Sequence, residues 1–343
     1  MKKVKVEKAV GMVLGHDLTR VIPGSFKGVA FKKGHIIQPE DIPALLDLGK
    51  GTIFVLEVPP GHLHENEAAE RLSTALKGDH ITLQGPTEGK ISLIAETSGL
   101  LKINLPALTR LNLIPSVIVS TLHTHTVTAP EAPVAATRII PLTIEEKHII
   151  RAEAICRQSG PVVSIKPLVP KKVGVVVTGS EVYQGRVKDG FDDWVGRKLE
   201  DFGCQIAQKV NVPDDEKLIS TAIRGMVASG HEMIVTTGGM SIDPDDVTRK
   251  GIRRAGARII FYGTPVLPGA MFLYARIGKI PVLGLPACVF YHKVTLFDLI
   301  LPLILAGEEP TRKEIATLGH GGLCLNCPEC RYPVCPFGKG GLT

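Results

Sequence analysis

Residues 236–248 read TTGGMSIDPDDVT, with two glycines and a serine beside three aspartates, Asp243, Asp245 and Asp246. Glycines let a ligand come close to backbone N–H groups. Such groups at the start of a helix bind anions. Three carboxylates would repel a phosphate unless a cation stood between them. Mg²⁺ suits that place, because it takes one or two carboxylates together with phosphate oxygens. The competing structural reading has Asp243 as the N-cap of the next helix, with Asp245 and Asp246 favouring its dipole.

A second set lies near the end of the chain, in CLNCPECRYPVCPFGKGG. Cys324, Cys327, Cys330 and Cys335 follow the spacing C-x₂-C-x₂-C-x₄-C. Thiols this close can wrap one tetrahedral Zn²⁺ or one 4Fe–4S cluster. The alternative is a thiol-rich tail without metal. Cys156, Cys204 and Cys288 stand alone in apolar or mixed surroundings, where a buried inert thiol is the usual state. His123 and His125 in TLHTHTV, like His62 and His64 in PPGHLHENE, have the i, i+2 spacing of one strand face. A solvated face is the expected setting for both pairs.

The elements that must carry these groups are legible by periodicity. Over 173–306, short apolar runs (VGVVV, EMIVTTGG, PVLGLP) alternate with amphipathic stretches such as DDEKLISTAIRGMVASG. In that stretch Leu218, Ile219, Ala222, Ile223, Met226 and Val227 share one side. The alternation predicts an α/β domain whose mostly parallel sheet is covered on both faces. PDDVTRKGIRRAG is expected to be a helix, and the last helix is expected over roughly 288–305. Ligands of such sheets sit beyond the carboxyl ends of the strands. The loops at 178–190, 236–248 and 284–292 fall there.

Upstream, residues 1–75 read as an α+β segment, and 76–170 as a β-rich small domain followed by a helix and a linker. The helix LTIEEKHIIRAEAICRQSG has Thr143 and Glu146 at capping-box spacing. The α/β domain then occupies 171–307, and the cysteine tail 308–343. The chain has 343 residues and a net charge of +6, with its basic residues scattered rather than arrayed. A nucleic-acid partner is therefore not expected, while an anionic small ligand is compatible with the charge. The opening MKKVKVEKAV has no apolar stretch behind it, and VTLFDLILPLILAG is too short to span a bilayer. The expectation is a cytoplasmic protein with no membrane partner.

Taken together, VVVTGSEV at 175–182, IVTTGGMSIDPDDVTRKGIRRAGA at 234–257 and TPVLPGAMFLYARIGKIPVLGLPACV at 264–289 resemble the molybdopterin-binding domain of molybdenum-cofactor biosynthesis proteins. Among these, the similarity is to molybdopterin molybdotransferases above all, and AVGMVLGHDLT at 9–19 is also similar to a segment of those transferases. The resemblance implies a three-layer α/β/α domain in a homo-oligomer, dimer or trimer. It implies molybdopterin or molybdenum cofactor as ligand, and a Mg²⁺-dependent reaction of adenylylated molybdopterin with molybdate that gives molybdenum cofactor and AMP. Mapped by position, Thr178, Gly179, Ser180 and Glu181 fall in the first ligand loop, and Gly238, Gly239, Ser241, Asp243, Asp245 and Asp246 in the second. Pro268 and Gly269 precede a strand, and Leu285 and Pro286 form the third loop. Glu181, Asp243 and Asp246 take the catalytic places.

The chain departs from the family pattern at its loops. Ser180 replaces the acid of the usual TGDE, Asp243-Pro244 stands where Gly-Asp is usual, and LPACV replaces LPGNP. The 76–170 region does not match the family's insert domain, and no room for its C-terminal β domain remains after 306. Two functions stay open: an enzyme that inserts molybdate, or a non-catalytic carrier, chaperone or redox-linked sensor of the cofactor that docks on a molybdoenzyme. A third reading puts another nucleotide-like phosphate in the same domain, with hydrolytic chemistry.

Overall fold

A computed structural model describes residues 2–22, 26–56, 58–87, 89–140, 142–241, 243 and 247–340. The chain forms two compact units, one made of 1–96, 102–122 and 130–165, the other of 97–101, 123–129 and 166–343.

The first unit is built on small antiparallel sheets. Its largest has four strands, in the order Val117–Thr121, Pro133–Ile139, Lys90–Ala95, Ile81–Thr87. Helices Glu65–Leu76 and Glu146–Ser159 are joined by Arg71, whose guanidinium donates to both Glu146 and Glu153. The expected Thr143 cap does not form. Thr143–Glu145 is instead a strand paired with His62–His64, so Glu145 takes the cap position without a side-chain bond. His64 is buried rather than solvated and accepts from Asn66 N–H. Within the region read as β-rich the structure also has a helix, Leu105–Asn112. Asn104 caps it by accepting from Ala107 N–H, and Pro106 occupies its first turn.

The second unit holds the α/β domain. Its strands are β1 Lys172–Thr178, β2 Gln205–Val212, β3 Met233–Thr237, β4 Arg258–Tyr262, β5 Leu273–Ile277 and β6 Ile280–Leu285. They form one six-stranded sheet in the order β2-β1-β3-β6-β5-β4. The first four are mutually parallel; β5 alone runs against them, pairing antiparallel with β6 on one side and with the edge strand β4 on the other. Besides a single helical turn at Ser180–Tyr183, the helices are α1 Arg197–Asp201, continuing a π turn at Asp192–Gly196, then α2 Glu216–Ala228, α3 Thr248–Arg254, α4 Leu296–Leu305 and α5 Arg312–Thr317.

Strand alternation divides the core in two. Val173, Val175, Val177, Met233 and Val235 point to one face, against Phe191, Leu199, Phe297 and Ile300. Val176, Ile234 and Val282 point to the other, against Ile219, Ile223, Met226 and Ile252. A sheet packed on both sides by helices is a three-layer α/β/α domain.

Helix boundaries shift from expectation in two places. The last long helix begins at Leu296, not near 288, because Thr295 and Asp298 close a reciprocal capping box there. Ala287–Phe290 is a separate 3-10 turn. Helix α3 begins at Thr248 with Val247 at the cap position and no side-chain cap, so Asp243 is not its N-cap. Asp245 and Asp246 lie outside the described residues.

Candidate functional site

From β1 the chain moves outward to β2, then returns past β1 to β3. The strand order therefore reverses between β1 and β3, and loops diverging at such a point leave a crevice. Here the crevice is a cavity of about 680 Å³ lined by Glu181, Gly238, Gly239, Met240, Ser241, Asp243, Leu267–Met271, Pro286–Cys288, His292, Leu323, Cys324 and Asn326.

Of the sequence candidates, Glu181, Gly238, Gly239, Ser241, Asp243, Pro268, Gly269 and Pro286 line this cavity. Thr178, Gly179, Ser180 and Leu285 do not. Leu285 is fully buried in the core, one register step from Pro286, and so faces away. Thr178 is a buried brace. Its hydroxyl donates to Thr237 O at 3.0 Å and shares a 2.8 Å hydrogen bond with the Thr248 hydroxyl, tying β1, β3 and α3 together. Thr178→Val should cost about 1–3 kcal/mol, since the Thr237 and Thr248 groups lose a buried partner. Chemical unfolding of the variant measures this directly.

The two glycines at 238 and 239 answer to that brace as well as to any ligand. Gly238 has φ +86°, and a Cβ there would stand 2.2 Å from Thr178 O. Gly239 has φ +54°, and its Cβ would stand 2.3 Å from the Thr248 hydroxyl. Backbone amides are thus brought to the cavity wall with no side chain over them.

Ser180 donates from both its N–H and its hydroxyl to one Asp214 carboxylate oxygen, at 2.8 and 3.1 Å. An acid therefore does stand at this loop, supplied from the end of β2. Nothing local in the sequence marks that partner, because it lies 34 residues away.

Cys288 is a half-buried thiol on the cavity wall. Burial raises its pKa, against a smaller opposing effect of nearby backbone N–H groups. Its reactive thiolate is correspondingly scarce at neutral pH. Iodoacetamide should label the exposed Cys327 and Cys330 first, with Cys288 reacting only as the pH rises. Peptide mapping across a pH series checks the order.

The histidines at 123 and 125 do not share a strand face. They lie in a turn after Thr121, and His125 has φ +65°. His123 is half-buried and bonds through Nε2 to Lys339 O at 2.5 Å, so it holds the chain's end rather than facing solvent.

Among the described residues, no three His, Cys, Asp or Glu side chains are close enough together to hold a metal ion. The cysteine tail is therefore not gathered as its spacing led one to expect. Its ends are fixed first: Cys324 N–H donates to Leu267 O, and Cys335 packs on the core near Phe337. Cys327 and Cys330 remain on the surface between them.

These loops have known counterparts. Residues 174–306 match a family model described as a probable molybdopterin binding domain. Residues 3–57 match a separate model whose function is unknown. A molybdopterin molybdenumtransferase of Synechococcus elongatus is 24% identical over 153 residues, covering 42% of this chain and 38% of that protein. A CinA-like protein of a Mycobacterium species is 33% identical over 93 residues, covering 27% of this chain and 22% of that protein. The chain thus spans well under half the length of these relatives. Among solved structures, the molybdopterin biosynthesis enzyme MoaB of Thermus thermophilus is 17% identical with a TM-score of 0.32, covering 39% of this chain and 89% of that one. The α/β domain is of the molybdopterin-binding type, and the chain resembles the transferase. Among the described residues no helix is long and apolar enough to cross a membrane.

Proposed function

We propose that this chain binds molybdopterin in the cavity between β1 and β3 and acts in molybdenum cofactor biosynthesis, in the cytoplasm. The observation that carries the reading is convergence. Two loops remote in sequence bring bare Gly238 and Gly239 backbone, the Ser241 hydroxyl and the Asp243 and Glu181 carboxylates to one cavity, whose wall 267–271 and 286–288 complete. Glycine amides and Ser241 suit the ligand's phosphate, and carboxylates suit pterin N–H donors.

The finer proposal is the molybdate-insertion reaction. Adenylylated molybdopterin and molybdate give molybdenum cofactor and AMP, with the bond to the adenylyl group broken. Glu181 and Asp243 both line the cavity, and their carboxylate oxygens are the donor type that suits Mg²⁺. When bound, Mg²⁺ would neutralise charge between these carboxylates and the phosphates. The chain's own groups would orient the substrate: the Asp243 and Glu181 carboxylates and the Gly238 and Gly239 amides all line the cavity. We propose a homo-oligomer for the working form, dimer or trimer, and a Zn²⁺ or 4Fe–4S centre on the four tail cysteines.

The test follows AMP release and retained pterin after incubation of anaerobically purified protein with adenylylated molybdopterin, Mg²⁺ and molybdate. Molybdate-dependent AMP release supports the transferase reading. Pterin held without AMP supports the carrier or sensor. That second reading has an observation of its own, because Cys324 and Asn326 of the tail line the ligand cavity. AMP release indifferent to molybdate supports hydrolysis of a nucleotide-like phosphate. The absence of both pterin binding and AMP release would overturn the pterin reading.

A further inference from the structure

The cysteine tail and the ligand cavity share a wall. All four cysteines line a second cavity of about 670 Å³. His292, Leu323, Cys324 and Asn326 line both cavities. His292 Nδ1 and Asn326 Oδ1 are 3.0 Å apart, a hydrogen bond between the third ligand loop and the tail. Asn326 holds φ +49°, a left-handed conformation that asparagine tolerates better than most residues.

The segment is fastened at both ends. Leu267 N–H donates to Gly322 O, and Cys324 N–H donates to Leu267 O, each at 2.8 Å. Gly338 N–H donates to Gly321 O at 3.0 Å, and Phe337 is 4% exposed. Leu267 is itself beside Pro268 and Gly269 on the ligand side. Any convergence of the thiols must therefore come mainly from Cys327 and Cys330, which are exposed.

We propose that a thiophilic metal centre held by the four cysteines sets the wall of the pterin cavity, so that metal loading and ligand binding are thermodynamically linked. The proposal rests on the pterin reading above for the identity of the ligand. Thiolates bind Zn²⁺ at about 2.3 Å, so four sulfurs must draw within a few ångströms of one another. The ends of the segment being pinned, closure pulls on Cys324 to Asn326 and, through the hydrogen bond, on His292. A divalent ion displaces one proton from each thiol that binds it, so metal affinity falls as pH falls. No electron is transferred in this step. Linkage is reciprocal: the factor by which metal changes pterin affinity is the factor by which pterin changes metal affinity.

The experiment uses the full chain, purified without oxygen. Iron and sulfide analysis of the material as isolated decides between a cluster and Zn²⁺ as the centre held in the cell. The protein is then stripped with chelator and reloaded with Co²⁺, whose thiolate charge-transfer band reports sulfur ligation. Molybdopterin is titrated into both forms. The expected result is a Kd shift of about tenfold or more, within the usual range of coupling between two sites. The C327S/C330S variant should lose that shift and keep the Kd of the stripped protein, because neither residue lines the pterin cavity. Equal Kd values in the presence of a full thiolate band would overturn the linkage. So would the absence of any thiolate band. Should molybdopterin bind neither form, the pterin reading fails while the linkage is still decided by hydrogen exchange. Co²⁺ must then change protection at Leu267–Met271 and Ala287–His292, and unchanged exchange there refutes the shared wall.

Discussion

Gly238→Ala should unfold the α/β domain at a markedly lower temperature than the parent protein. Two costs add. At φ +86° an alanine pays about 1–2 kcal/mol for the left-handed conformation. Its Cβ then meets Thr178 O at 2.2 Å, a backbone atom that cannot step aside because β1 is hydrogen-bonded to strands on both sides. A total of about 3 kcal/mol or more follows, at the large end for one substitution. For a unit of this size that corresponds to a fall in Tm of roughly 6–12 °C. Gly185→Ala is the matched control. Gly185 has φ +69° with nothing within 4 Å of its Cβ, so only the conformational cost applies. Calorimetry on the two variants separates packing from backbone strain. If both lose the same amount, the close approach of Gly238 to Thr178 is not what the glycine serves.

That glycine also shows where sequence reasoning stops. The pair at 238 and 239 is legible as bare backbone at a strand end, and the apolar runs of β1, β3 and β6 are legible as a buried parallel sheet. What the glycines pack against is not, since Thr178 and Thr248 are brought to them by β1 and α3. The same distance hides Asp214 behind Ser180. Leu285 and Pro286 are adjacent in one motif, yet only the second reaches the cavity, because successive residues of a strand face opposite ways. The tail is the extreme case. Its spacing announces metal chemistry, but its place beside the ligand loops follows from a bridge between Leu267 and Leu323. A non-local pairing leaves no period in either segment for a reader to find.

Asp243→Asn should change ligand binding in opposite directions with and without Mg²⁺. Asp243 is exposed and lines the cavity beside Ser241 and Gly239. It does not cap α3, so its removal should alter stability by less than about 0.5 kcal/mol, the usual range for a surface position. Without a divalent ion, its carboxylate repels the phosphate of a pterin ligand, and the asparagine variant should bind that ligand more tightly than the parent. With saturating Mg²⁺ the order reverses, because the parent holds the cation that joins carboxylate to phosphate and the variant holds it poorly. Under the transferase reading, the rate of AMP release at fixed Mg²⁺ should fall on the order of 10²–10³-fold, the scale for losing one preorganised electrostatic group. Higher Mg²⁺ should restore part of it. Glu181→Gln should behave alike if the two carboxylates serve one ion, since both line the same cavity. The crossing of the two binding curves is the decisive feature. A structural role for Asp243 would weaken binding at every Mg²⁺ concentration, and a residue remote from the phosphate would leave both curves where they were.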